Sequence, residues 1–190
     1  MSASKFVRGL RNLAVLTVVA AGALVGAGSA ATAAPAQPAA PLAVRNLVYN
    51  ASGAGEYRTT FDQAAQIWDS RVNNITLRSG SGATINVYVT NSGGSRAYVN
   101  GLGRGTIYID RTQVNQGHSP LRILSHELGH ILGLPDNYNG VCSQLMSGGS
   151  AGTSCTNPYP NSTEVSRVEY LFRNGLVASR EAFTGTSRVY

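Results

Sequence analysis

The sequence predicts an α+β domain, and three observations predict it. A short apolar run at residues 47–49 precedes a stretch with helical periodicity at residues 56–73. Several alternating runs follow between residues 75 and 110, divided by Gly/Ser/Asn turns. A second helix then opens at Ser119-Pro120 and a third at Asn161, so the chain runs strand, helix, several strands, helices.

Each element has a local reason. Leu47-Val48-Tyr49 suits a first strand. In residues 56–73, Phe61, Ala64, Ala65, Trp68 and Val72 recur at helical spacing. Thr59 or Thr60 is expected to cap that helix, with Asp62 in its first turn. Trp68, the only tryptophan, lies on the apolar stripe and is expected in the core. Ile75-Thr76-Leu77 suits a second strand. Residues 83–90 set Ile85, Val87 and Val89 against Asn86, Tyr88 and Thr90, the period of a half-buried strand. Residues 91–95 form a turn, residues 96–100 a short edge strand with polar ends, and residues 106–110 a further strand through Ile107 and Ile109. Ser119 at the N-cap and Pro120 at the first helical position start the next helix. Leu121, Leu124, Leu128, Ile131 and Leu132 give its apolar face, and Gly133 with Pro135 stops it. Beyond Asp136 the chain is rich in Gly, Ser, Asn and Pro until Asn161, which caps a helix with Glu164 at N3 and Val165, Val168 and Leu171 or Phe172 as its stripe. Residues 178–190 are polar and carry little signal.

The first 33 residues stand apart. Lys5, Arg8 and Arg11 precede an apolar, small-residue run, and Ala31-Thr32-Ala33 offers an A-x-A cleavage site, the order of a secretory signal. Residues 34–43, APAQPAAPLA, read as a pro-segment or linker, leaving one catalytic-sized domain over residues 44–190. The leader holds three of the fifteen basic residues and none of the nine acidic ones, so the remainder carries +3. Its basic residues are all Arg and scattered, which excludes the basic stripe of a nucleic-acid binder and suggests a mildly basic, solvated surface. No membrane association is expected after the leader is removed. Two cysteines, Cys142 and Cys155, in an exported domain read as one disulfide.

The chemistry concentrates in Ser125-His126-Glu127-Leu128-Gly129-His130. Four residues apart on a helix, His126 and His130 share one face and make a divalent-metal chelate. Glu127 lies beside them, positioned to act as general base on a metal-bound water. With three His and five Glu in the chain, chance supplies roughly 0.001 such pentads, so the motif is specific. Zinc is the expected ion. Its third ligand has two routes: a glutamate on a later helix, Glu164 or Glu169, or a residue six beyond the second histidine after a helix-breaking glycine. Gly133 and Asp136 stand in the register of the second route, which is preferred.

HELGHILGLPD, followed by Met146 in Gln144-Leu145-Met146-Ser147, resembles the metzincin pattern with its methionine turn. Asp in place of the usual third histidine, the short length and the SCTNPYP run make the chain similar to the snapalysin family of small secreted neutral zinc metalloproteases. The likeness is dense over residues 106–175 and extends back to Leu47. It implies a metzincin-like fold: a twisted, mostly parallel four- to five-stranded sheet with an antiparallel edge strand, an active-site helix and a C-terminal helix. It further implies peptide-bond cleavage with an aromatic residue on the leaving-group side. The family's zinc ligands fall on His126, His130 and Asp136, its general base on Glu127, and its tyrosine near the metal on Tyr138. Its methionine turn falls on Met146 and its disulfide on Cys142 and Cys155. The loop over residues 147–159 would wall the specificity pocket. The family can carry a calcium with a carboxylate seven residues before the first ligand; Ser119 stands there, which argues against that calcium. The expected partners are protein or peptide substrates, and a monomer is expected. Two other functions stay open on the sequence: a catalytically inactive zinc-binding module and a cell-wall peptide amidase.

Overall fold

The computed structural model describes residues 44–174. The leader over residues 1–33, the segment 34–43 and the tail from residue 178 lie outside the described residues. Five strands, β1 (Arg45–Gly53), β2 (Ile75–Ser79), β3 (Ile85–Thr90), β4 (Arg96–Val99) and β5 (Gly105–Asp110), form one sheet in the order β2-β1-β3-β5-β4. Four of them run parallel, and β4 pairs antiparallel with β5 at the edge. This is the mostly parallel sheet with an antiparallel edge strand that the resemblance implied.

The alternation in the strands decides which face is covered. Ile85, Val87, Ala97, Ile107 and Ile109 are buried on one face, while Tyr88 and Tyr98 remain exposed on the other. The apolar stripes of helix α1 (Arg58–Arg71) and helix α3 (Pro120–Ile131) complete the core with Phe61, Ala64, Trp68, Leu124, Leu128 and Ile131. Trp68 sits fully buried between these helices and donates its indole N–H to the Ser125 carbonyl at 2.9 Å. Helix α4 (Ser162–Asn174) brings Val168, Leu171 and Phe172 into the same core.

Two expectations need correction. Neither Thr59 nor Thr60 caps α1: a 3-10 turn over Gly55–Tyr57 runs directly into the helix at Arg58, and no side chain caps its start. Asp62 instead accepts the Tyr49 hydroxyl at 2.8 Å. A short helix α2 (Arg111–Asn115) also appears where only a connection was expected. Asp110 organises it, accepting the Thr112 N–H through one oxygen and the Gly94 N–H, from the turn before β4, through the other, both at 2.8 Å.

The disulfide joins Cys142 to Cys155 and ties the long loop between α3 and α4. Closing a loop of this length stabilises by about 3 kcal/mol. The Cys142→Ser/Cys155→Ser protein should therefore be less stable to urea by about that free energy, with a slope equal to or steeper than that of the unmutated protein because the opened chain exposes more surface. An equal midpoint would mean that the loop is held by its other contacts alone.

Candidate metal centre

Helix α3 is built to carry two imidazoles on its buried side. Ser119 accepts the Arg122 N–H and so caps the helix start, rather than serving as a cation ligand. At the other end Gly133 takes φ 98°, a conformation cheap only for glycine. The Gly133 N–H bonds the His130 carbonyl and the Leu134 N–H reaches back to the Gly129 carbonyl, the two bonds of a Schellman turn. That turn has a chemical consequence. It aims the Leu134 carbonyl at His130 Nδ1, 2.8 Å away, and sends Pro135 and Asp136 back toward the helix.

Three acceptor atoms converge there. His126 Nε2 and His130 Nε2 are 3.1 Å apart, and Asp136 Oδ1 lies 3.1 Å from the first and 3.3 Å from the second. His126 Nδ1 lies 3.0 Å from the Leu145 carbonyl. Carbonyls only accept, so each Nδ1 carries its proton, and each neutral ring turns a lone pair on Nε2 inward. Asp136 Oδ1 is itself buried and faces both Nε2 atoms. Burial depresses the His126 pKa. At His130 burial opposes the charged form, but Asp136 and Glu127 outweigh it and the pKa rises. Burial also works against the Asp136 carboxylate, yet the two imidazoles beside it hold its pKa well below the usual carboxylate range. The cluster draws positive charge into its centre, and the two-nitrogen, one-oxygen set suits a divalent cation such as zinc. Among the described residues this is the one group of three or more His, Cys, Asp or Glu side chains whose ligand atoms converge.

Glu127 lies on the same helix, completely buried, and neither carboxylate oxygen has a hydrogen-bond partner. Burial pushes its pKa up to about 8. A buried carboxylate without a partner is costly, and this one stands next to three atoms that attract a cation.

The Streptomyces extracellular neutral proteinase (M7) family matches residues 43–175 of the chain. The chain belongs to this family. It is similar to the extracellular small neutral protease of Streptomyces caespitosus, at 50% identity over 130 residues, covering 68% of this chain and 98% of that one. It is also similar to the protein of the same description from Streptomyces sp. strain C5, at 48% identity over 141 residues. That match covers 73% of this chain and 61% of the relative, so the chain spans about three fifths of that relative's length. Among solved structures, archaemetzincin from Methanopyrus kandleri aligns with a TM-score of 0.42 at 11% identity, over 67% of this chain and 94% of that one. The snapalysin-family resemblance read from HELGHILGLPD and the methionine turn is thus borne out.

Beneath the cluster of this M7 proteinase-family domain, Met146 is buried against Gly129, which lies between the two histidines on the helix. A Cβ on Gly129 would stand 2.7 Å from the Met146 sulfur and 3.3 Å from the Trp68 ring. Gly129→Ala should therefore cost about 1–3 kcal/mol in overpacking. The better helix propensity of Ala returns about 1 kcal/mol, so a modest fall in thermal midpoint is expected. A rise would show that Met146 moves aside freely. Tyr138 is the one non-glycine among the described residues with positive φ (40°), and a Cβ on Gly148 would stand 3.5 Å from its ring and 3.0 Å from the His126 ring.

Glu164 and Glu169, the alternative ligands, lie elsewhere. Glu164 is buried under the methionine turn with its oxygens on backbone N–H groups. Glu169 accepts the backbone and side-chain N–H groups of Asn73. Sequence reasoning missed Arg122. The arginines were expected on a solvated surface, but Arg122 is buried in α3. It donates to the carbonyls of Cys142, Gln144 and Asn157 and to Ser147 Oγ, at 2.6–3.3 Å, cross-linking the loop that carries the disulfide and the methionine turn. The available signal was its placement three residues past the N-cap, one turn before Ser125 and His126.

Proposed function

We propose that this protein is a secreted zinc metalloendopeptidase, with residues 1–33 as its leader and residues 44–190 as its catalytic domain. His126, His130 and Asp136 hold the ion, and Glu127 is the general base. The observation that carries this reading is the convergence of three acceptor atoms within 3.3 Å beside a buried carboxylate that has no partner. Zinc bound by such a set supplies Lewis acidity and lowers the pKa of water toward neutrality.

The chain's own groups do the rest. Nδ1–H bonds to the Leu145 and Leu134 carbonyls fix both rings in the tautomer that offers Nε2 inward. Among the described residues no strand lies beside the outer edge of β4, so an extended peptide can pair there through backbone hydrogen bonds. Glu127, buried beside the ligand cluster, takes the proton of the attacking water and returns it to the departing amine. Tyr138, whose ring flanks Gly148 as the His126 ring does, would donate its hydroxyl to the oxyanion. The loop over residues 147–159 contributes the wall that would favour an aromatic side chain after the scissile bond. The substrates are proteins or peptides, the enzyme works extracellularly as a monomer, and no described helix is long and apolar enough to cross a membrane.

The test is hydrolysis of casein and of a peptide library by the secreted protein, with chelator, and after zinc is restored. Chelator-sensitive cleavage before aromatic residues is the expected result. Zinc binding without turnover would mark an inactive module. Release from purified cell-wall material in place of casein would redirect the reading to an amidase.

A further inference from the structure

The Leu145–Met146 peptide stands between a carboxylate and a candidate metal ligand. Its carbonyl, that of Leu145, accepts the His126 Nδ1–H at 3.0 Å. Its N–H, that of Met146, donates to Glu164 Oε1 at 2.8 Å. Glu164 Oε2 accepts the Leu145 N–H at 3.2 Å and the Asn161 N–H at 2.7 Å, so the carboxylate clamps the turn from below. The Met146 carbonyl in turn accepts the Asn137 N–H at 3.0 Å, the residue next to Asp136. Both Glu164 and His126 are buried, and these bonds act with little screening by water.

We infer that Glu164 is a positioning residue for the metal centre, acting on His126 through one peptide unit. A negative charge at the N–H end of an amide polarises it and makes its carbonyl a stronger acceptor. That strengthens the bond to His126 Nδ1–H and raises the basicity of the opposite nitrogen, which faces the ion. Metal-binding imidazoles are commonly oriented by a carboxylate bonded directly to the distal ring nitrogen. Here a peptide is inserted between the two, and the carboxylate is supplied by the capping box of α4, where Asn161 Oδ1 accepts the Glu164 N–H at 2.9 Å. The same side chain thus starts the C-terminal helix, shapes the methionine turn and tunes one ligand. His130 lacks this feature. Its Nδ1 bonds the Leu134 carbonyl, and the N–H of that peptide belongs to Pro135, which has none.

The inference rests on His126 being a ligand, and the test separates the two. Zinc affinity would be measured by chelator competition, and the two Nδ1–H signals by NMR of the zinc-loaded full-length protein labelled in histidine. Failure of the unmutated protein to bind zinc overturns the metal-site reading itself. Given binding, Glu164→Gln is expected to weaken it about 10- to 100-fold, by the loss of an outer-shell partner. It should move the His126 Nδ1–H signal upfield and leave that of His130 in place. Val168→Ala, which trims a buried side chain on the same helix, should lower the thermal midpoint without either effect. An unchanged zinc constant with an unmoved His126 signal overturns the inference, as does a loss that Val168→Ala reproduces. If Glu164→Gln does not fold, the unmutated protein decides: the Met146 N–H, bonded to the Glu164 carboxylate at 2.8 Å, should resonate downfield of the ordinary amide range, and an ordinary position refutes the proposal.

Discussion

Glu127→Gln is expected to abolish peptide hydrolysis while leaving zinc and the fold in place. The substitution keeps the shape of a completely buried side chain and removes the proton acceptor, so the loss in kcat should be about 10²- to 10⁴-fold. Stability gives an independent check. Neither oxygen of Glu127 has a hydrogen-bond partner, so no favourable contact is lost with the charge. The thermal midpoint of the zinc-free variant should therefore equal or exceed that of the unmutated protein. Casein hydrolysis, zinc stoichiometry and a thermal scan on one preparation suffice; near-normal turnover would remove Glu127 from the base role.

Asp136→Ala should have the second largest effect, on metal binding rather than on a proton. It removes the one anionic atom among three acceptors that approach within 3.3 Å of one another. Two imidazoles alone leave the ion without its third protein ligand, so the zinc-to-protein ratio after desalting should fall from about one to near zero. Glu169→Ala is the informative companion. That carboxylate is occupied at Asn73, and its loss should leave zinc unchanged. Retention of zinc by the Asp136 variant would return the third-ligand role to a residue on another element.

What the sequence determined by itself is what depends on neighbours a few residues apart. Ser119-Pro120 and Gly133 bound the helix, the four-residue spacing puts both imidazoles on one side, and Asn161 with Glu164 forms a capping box, each visible because the bonds involved span three to five residues. The strand alternation also marked the buried face through Ile85, Val87, Ile107 and Ile109, with Val89 only partly buried. Thr59 and Thr60 looked equally good as caps and are not, because a 3-10 turn delivers the chain to Arg58 already helical. Only the tertiary structure decided the order of the strands and how the charged side chains are used. Glu164 and Asp136 were both eligible as ligands. The Schellman turn carries Asp136 onto the histidines, while packing of α4 under the methionine turn commits Glu164 to backbone amides nineteen and eighteen residues away. Arg122 likewise turned inward, because four acceptors from a loop 20–35 residues downstream surround its guanidinium. Arg122 and Glu164 are tolerated in the core because distant chain segments supply their partners. Those partners are set by the fold, and no local pattern records them.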